Sequence, residues 1–155
     1  MEPRVNLFEN KITAGYVKRL VTAGKVAESS GLPAATYELV KIRASQINGC
    51  AMCLDMHTKD ALHAGESTVR INLVAAWREA TVFTEAERAA LELTEAGTRL
   101  ADGGGVSEET WQRVRKHYDD DQIGGLLVAV ATINAWNRLN ALAHTPAGNY
   151  EPGQF

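Results

Sequence analysis

Apolar and polar residues along the chain recur at steps of three and four positions, the spacing that places apolar side chains on one face of a helix. No stretch alternates with a period of two for long enough to predict a strand. The pattern therefore predicts an all-α fold of about six to seven helices. The first predicted helix covers 11–28, with an amphipathic stripe formed by Ile12, Tyr16, Leu20, Val21 and Val26.

Residues typical of helix ends divide the rest of the chain. Pro33 suits a first helical turn, and Asn48 followed by Gly49 suits a helix stop because both residues tolerate positive φ. Thr84 with Glu87 has the spacing of a capping box. The further predicted helices are 33–48, about 50–65, 67–77, 84–100, 107–117 and 119–143, with a flexible loop at 101–107 and an irregular tail at 145–155.

Length and composition predict one soluble globular domain spanning 1–155. Apolar residues make up 45% and charged residues 23%, a balance that favours a packed core over disorder. The net charge of -3 and the absence of a Lys/Arg block argue against nucleic acid as a partner. The longest apolar run has 11 residues and no apolar signal-peptide core is seen, so we expect a cytoplasmic protein without membrane contact.

Candidate chemistry lies where one predicted helix begins. The only two cysteines, Cys50 and Cys53, form a C-x-x-C pair, and His57 follows four residues later. At about 100° per residue these three side chains fall within about 60° of one another around the helix. In a reducing compartment such a pair indicates metal binding or reversible redox chemistry.

The helix start also favours ionised sulfur. Free backbone N–H groups and the helix dipole stabilise a thiolate in the first turn. This effect favours Cys50 as the nucleophile, whereas the neighbouring His57 favours Cys53. Glu38 lies on the preceding predicted helix, and a tight turn at Gly49 would fold that helix back, so its carboxylate could exchange protons with this group.

Other interpretations of the cysteine pair remain open from the residues alone. A packed thiol pair is one, and a zinc knuckle is another, although a second knuckle is missing. Haem attachment fails because Leu54, and not a histidine, follows Cys53. A thioredoxin fold is disfavoured because Ala51 and Met52 lie between the cysteines and no strands flank them.

The stretch "ELVKIRASQINGCAMCLDMHTKDALHAGE", 38–66, resembles the signature of the alkylhydroperoxidase D-like (AhpD-like) group within the carboxymuconolactone decarboxylase superfamily. That signature is a Glu, eleven residues, and then C-x-x-C-x-x-x-H. The resemblance implies a helical protein that forms homotrimers or homohexamers and has thiol peroxidase or disulfide reductase activity. It implies that Cys53 attacks peroxide, that Cys50 resolves the product as a disulfide, and that Glu38 and His57 relay protons.

One departure affects this expectation. Peroxidase members carry a histidine where this chain has Met52, which weakens the expectation of full peroxidase efficiency. The decarboxylase branch lacks the cysteine pair, which argues against lactone decarboxylation.

The predicted function is a thiol-dependent peroxidase that reduces hydroperoxides, is regenerated by an external thiol or dithiol, and needs no cofactor or metal. One alternative is a dithiol–disulfide oxidoreductase with little peroxidase activity. The other is a non-enzymatic helical oligomer in which Cys50, Cys53 and His57 hold a structural metal.

Several further polar residues are less strong candidates for function. Asp60 could border the site, and His63 is expected on the surface. A polar cluster in an otherwise apolar helix is expected to lie at an oligomer contact or at the rim of the pocket. It comprises Asn134, Asn137, Arg138 and Asn140.

Overall fold

The computed structural model of the protein describes residues 2–154, and every regular element within this range is helical. The all-α class is confirmed, with eight α-helices in the described range. They are α1 (Lys11–Lys25), α2 (Ala34–Asn48), α3 (Ala51–His63), α4 (Thr68–Leu73), α5 (Glu85–Thr98), α6 (Leu100–Gly103), α7 (Glu108–His117) and α8 (Asp120–Ala143). Short 3₁₀ segments, Val26–Ser30 and Val74–Ala76, follow α1 and α4.

Local capping explains where the helices begin. The predicted capping box is present at α5, where the Thr84 side chain accepts from the Glu87 N–H and Glu87 accepts from the Thr84 N–H. Asp119 and Gln122 form a second capping box at α8. Such caps satisfy backbone groups that have no partner inside the helix, and each contributes about 1 kcal/mol. Ser67 and Ser107 also cap their helices, since their side chains accept from the N–H groups of Val69 in α4 and Thr110 in α7.

α2 lies at the centre of the packing. Its Val40 is buried against α5, α7 and α8, whereas Leu39 and Ile42 are buried against α3, α4 and α5. Burial of each such side chain stabilises the fold by about 1.5–3 kcal/mol. Because α2 is held on several sides, the side chains that it presents to α3 occupy defined positions.

α1 packs with a different face from the one that the apolar stripe suggested. Ile12 is 79% exposed and Val26 is 63% exposed, whereas Val17 and Gly24 are buried. The reason is close approach: a Cβ on Gly24 would lie 3.2 Å from Thr132 of α8. The small residue lets the helices meet there, which leaves most of the apolar stripe facing outward.

The segment after α5 is also more ordered than the sequence suggested. α5 ends at Thr98, and residues 101–103 of the expected flexible loop belong to the short helix α6. Gly104 then takes a left-handed φ of 71°, a conformation that favours glycine and ends the helix. None of the helices in the described range has the length and hydropathy that a membrane crossing requires.

Candidate active site

A tight turn between α2 and α3 positions the cysteines. Gly49 has a left-handed φ of 63°, which reverses the chain after Asn48. The Cys50 N–H donates to the Ser45 carbonyl at 3.0 Å, and Cys50 is the N-cap of α3. The prediction that the C-x-x-C pair opens a helix is confirmed.

The two sulfurs are bonded to each other and lie inside the protein. Cys50 and Cys53 form a disulfide with a Cα–Cα distance of 5.4 Å. They are 2% and 1% exposed, and they pack with Ala44 of α2 and Ile133 of α8. The Cys50 sulfur also accepts a hydrogen bond from the Cys53 N–H at 3.3 Å. The helix start therefore acts directly on Cys50.

His57 and Glu38 form a hydrogen-bonded pair across α3 and α2. The distance between His57 Nδ1 and Glu38 Oε2 is 3.0 Å, and Lys41 Nζ lies 2.5 Å from the other carboxylate oxygen. His57 is buried, whereas the Glu38 side chain is 19% exposed. Because a carboxylate can only accept, Nδ1 carries the hydrogen and Nε2 has a free lone pair.

The electrostatics set the charges of this pair. Burial lowers the pKa of His57 and the nearby Lys41 cation lowers it further, while the hydrogen bond and charge of Glu38 only partly oppose this. Burial acts to raise the pKa of Glu38, but its bonds and charge interactions with His57 and Lys41 outweigh burial and lower it. At neutral pH Glu38 is therefore an anion balanced by Lys41, and His57 is a neutral base.

The pair and the sulfurs are adjacent but separate. Within residues 2–154 no hydrogen bond joins the His57 ring to either sulfur. A proton that passes between them needs an intervening water or a small movement of a side chain.

A cavity gives Glu38 access to solvent. Its volume is 440 Å³, and it lies between α2 and α3. Its walls include Tyr37, Glu38, Asp60 and Ala64, but neither cysteine. Glu38 can thus exchange protons with bulk water without exposing the sulfurs.

The tail after α8 is hydrogen-bonded to side chains of α3. Asp55 Oδ2 accepts the backbone N–H of Gly148 at 2.6 Å and that of Tyr150 at 3.2 Å. Lys59 donates to the carbonyls of the same two residues. The Tyr150 hydroxyl donates to Asp60 at 2.9 Å, and Tyr150 is 5% exposed. The irregular tail that the sequence predicted is therefore docked against the helix that carries the cysteines.

The structure brings together the four residues that sequence analysis selected: Cys50, Cys53, His57 and Glu38. Asp60 lies near His57 and contributes to its electrostatics, and His63 is exposed. Lys41 was missed, although its position three residues after Glu38 on one helix could have indicated it. No group of three or more His, Cys, Asp or Glu side chains in the described part of the chain is arranged to hold a metal ion.

The all-helical fold and the bonded C-x-x-C pair at a helix start agree with the resemblance to AhpD-like proteins. The profile of the carboxymuconolactone decarboxylase family matches residues 16–96. The chain belongs to this family, in its AhpD-like group.

Two individual proteins are similar to this chain in sequence. The chain is 41% identical over 140 residues to the uncharacterized protein YdfG of Bacillus subtilis, covering 90% of this chain and 93% of YdfG. It is 42% identical over 67 residues to alkyl hydroperoxide reductase AhpD of Rhodopseudomonas palustris (strain BisA53), covering 43% of this chain and 36% of that protein.

A solved structure is similar over nearly the whole chain. It is a crystal structure of an Agrobacterium tumefaciens protein of unknown function, described as a candidate antioxidant defence protein AhpD. The TM-score is 0.88 at 36% identity, covering 96% of this chain and 100% of the other.

Proposed function

We propose that the protein is a thiol-dependent peroxidase that reduces hydroperoxides through Cys53 and Cys50. The observation that carries this proposal is the bonded cysteine pair at the start of α3, with the buried His57 one turn further along that helix and hydrogen-bonded to Glu38 of α2. The 42% identity with an alkyl hydroperoxide reductase AhpD, over 67 residues, supports it.

The first step consumes the peroxide. With the pair reduced, the Cys53 thiolate attacks the outer oxygen of the hydroperoxide and the O–O bond breaks. The leaving alkoxide takes a proton and departs as an alcohol, or as water from hydrogen peroxide. Cys53 becomes a sulfenic acid. His57 hands on the proton that it has taken from a thiol, and Glu38 holds the imidazole in the required tautomer.

The second step forms the disulfide. The Cys50 sulfur attacks the sulfenic sulfur of Cys53, the S–O bond breaks, and water leaves. The product is a Cys50–Cys53 disulfide, and the bond between these two sulfurs in the structure supports the proposal.

An external dithiol then completes the cycle. One of its thiolates attacks the disulfide to give a mixed disulfide, and its second thiol displaces the protein sulfur, so that the reductant leaves oxidised. Cys50 is the sulfur that we assign to this attack, because its neighbours Gly49 and Ala51 are exposed. Both sulfurs are buried, so the turn must open for the reductant to reach Cys50.

A second candidate is a dithiol–disulfide oxidoreductase with little peroxidase activity. Two observations favour it: Met52 occupies the position before Cys53, and His57 is not hydrogen-bonded to either sulfur. Without an immediate proton donor, departure of the alkoxide would be slow. In thiol–disulfide exchange the leaving group is a thiolate, which is less basic and can leave without a proton donor.

Stopped-flow oxidation of the reduced protein by an alkyl hydroperoxide tests the peroxidase proposal. We expect Cys53→Ser to abolish the reaction and His57→Ala to slow it about a hundredfold, the usual contribution of a positioned base. His63→Ala is the matched control, since His63 is on the same helix but exposed, and its rate should be unchanged.

A wild-type rate no faster than that of free cysteine would refute the peroxidase proposal. Rapid turnover of a small-molecule disulfide in the same protein would then support the oxidoreductase. Stoichiometric zinc in the freshly purified protein would instead support a structural metal site.

A further inference from the structure

The polar cluster on α8 faces the turn that carries the cysteines. Three of its members, Asn134, Asn137 and Asn140, contact α2, α3 or the end of α5 through their side-chain amides. The mechanism above uses none of them. Burying polar side chains on an otherwise apolar helix costs free energy, so we expect their hydrogen bonds to serve a functional role.

Two of the asparagines fix the turn. The Asn48 side-chain amide donates to Asn134 Oδ1 at 2.9 Å and to Asn137 Oδ1 at 2.8 Å. The amide of Asn137 donates in turn to the Ser45 hydroxyl at 3.0 Å. Asn137 is 1% exposed and Ser45 is fully buried, so the bond between these two side chains is made away from water. They anchor the residue that directly precedes Gly49.

The third asparagine contacts a sulfur. Asn140 Nδ2 lies 3.4 Å from Cys53 Sγ and donates to it. An ionised thiol can only accept hydrogen bonds, so the amide must keep its N–H group on the sulfur when Cys53 is reduced. The two sulfurs thus accept hydrogen bonds from different donors. The Cys50 sulfur accepts from the backbone N–H of Cys53, and the Cys53 sulfur accepts from the side chain of Asn140 on α8.

We propose that Asn140 is the donor that stabilises the Cys53 thiolate and makes Cys53, and not Cys50, the attacking sulfur. Its importance for turnover rests on the proposed function, but its effect on the thiolate does not. Cys53 is 1% exposed, and a buried anion needs a hydrogen bond to replace the water that it loses.

This donor resolves a competition between the two thiols. The helix start favours a thiolate at Cys50, which is the N-cap of α3. Without a donor of its own, Cys53 would be the weaker nucleophile at neutral pH. Asn140 offsets that disadvantage from outside α3.

The test measures the thiolate without any peroxide. In a Cys50→Ser background Cys53 is the only thiol, and serine preserves the helix cap. The pH profile of its alkylation by iodoacetamide reports the thiolate fraction. We expect Asn140→Ala to move the midpoint up by about one pH unit, which lowers the rate at pH 7 about tenfold. Asn140→Asp should move it further, since a carboxylate repels the thiolate.

Asn72→Ala and Asn72→Asp are the matched controls, because Asn72 is exposed on α4. Thermal unfolding and circular dichroism check that each variant folds. If Asn140→Asp does not fold, the midpoint of Asn140→Ala alone is enough to test the proposal. Unchanged midpoints in the Asn140 variants, or equal shifts in the controls, would overturn the proposal. A shifted midpoint in a protein that does not reduce peroxide would refute only the peroxidase function.

Discussion

Lys41 links the charge of Glu38 to the protonation of His57. Its ammonium group lies 2.5 Å from Glu38 and also sits 3.8 Å from the centre of the Tyr37 ring. These contacts hold the cation beside the His–Glu pair, where a second positive charge is unfavourable. Burial is the main cause of the lowered pKa of His57, and Lys41 adds to it, so the ring stays neutral and able to accept a proton.

Replacing this cation should change the titration of His57. In Lys41→Met the stem over Tyr37 is retained but the charge is lost, so we expect the pKa of His57 to rise. The neutral base then disappears at higher pH than in the wild type. NMR titration of the His57 ring measures this pKa. The pH at which the rate of the peroxide reaction falls on the acid side should rise together with it. Lys18→Met, on the exposed side of α1, is the control; an unchanged His57 titration in Lys41→Met would contradict the assignment.

The docking of the tail on α3 depends on one carboxylate. Burial opposes ionisation of Asp55, but hydrogen bonds from Lys59 and from the N–H groups of Gly148 and Tyr150 outweigh it, so its pKa lies below the usual value. A lowered pKa means that the ionised form binds the tail. This stabilisation is complete above the unfolded-state pKa of about 4 and is lost as pH falls through the lower folded-state value.

Asp55→Asn should release the tail at neutral pH. We expect amide hydrogen exchange at Gly148 and Tyr150 to accelerate about tenfold or more, because charge-assisted hydrogen bonds are lost. Protonation of Asp55 on acidification should lower the protection factors of the same amides in the wild type, taken relative to the exchange of free amides at each pH, but not in the variant. The exposed Asp102→Asn serves for comparison, and equal protection of the tail in both variants would argue against the Asp55 clamp.

Close approach of α8 to the 3₁₀ segment Val26–Ser30 depends on a glycine. A Cβ on Gly125 would overlap the Ser30 side chain, whereas one on the adjacent Gly124 meets nothing within 4 Å. Neighbouring glycines in one helix therefore have opposite packing environments.

Alanine substitutions at these two positions should change the free energy of unfolding in opposite directions. We expect Gly125→Ala to lower the free energy of unfolding by about 1–3 kcal/mol through overpacking. Gly124→Ala should raise it by about 0.5–1 kcal/mol, since alanine is the better helix former. Urea denaturation measures both, and Ser30→Gly should partly rescue Gly125→Ala. Equal effects of the two alanines would rule out the steric contact.

Several large apolar side chains are exposed on the surface of the molecule. A groove between α5, α6 and α8 has a volume of 370 Å³ and is lined mainly by apolar side chains. Leu127 on its wall is 49% exposed, and Ile12, Leu100 and Leu142 are more exposed still. Apolar surface of this kind usually marks a protein interface.

We expect the protein to self-associate as a homotrimer or homohexamer, and we propose that this groove is part of the contact. Sedimentation equilibrium should give a mass several times that of one chain. Leu127→Asp should shift it toward the monomer, while Leu62→Asp, at an exposed leucine of α3 outside the groove, should not. A monomeric wild type would refute the association, and an unchanged Leu127→Asp mass would place the contact elsewhere.

Short-range rules were sufficient for much of this protein. Helix starts at 67, 84 and 107 were predicted from residues within one turn, and the side chains of Ser67, Thr84 and Ser107 cap the helices that follow. The shared face of Cys50, Cys53 and His57 likewise follows from helix geometry alone. These features were predictable because the interacting groups are neighbours in the chain.

Interactions between distant residues were not predictable in the same way. Asn140 meets Cys53 across 87 positions, and Tyr150 meets Asp60 across 90. α1 uses Val17 and Gly24 for packing although a longer stripe of apolar residues lies on its surface. Such contacts depend on how closely the helices approach one another. That distance is set by the combined packing of all the helices, and no local pattern of residues encodes it.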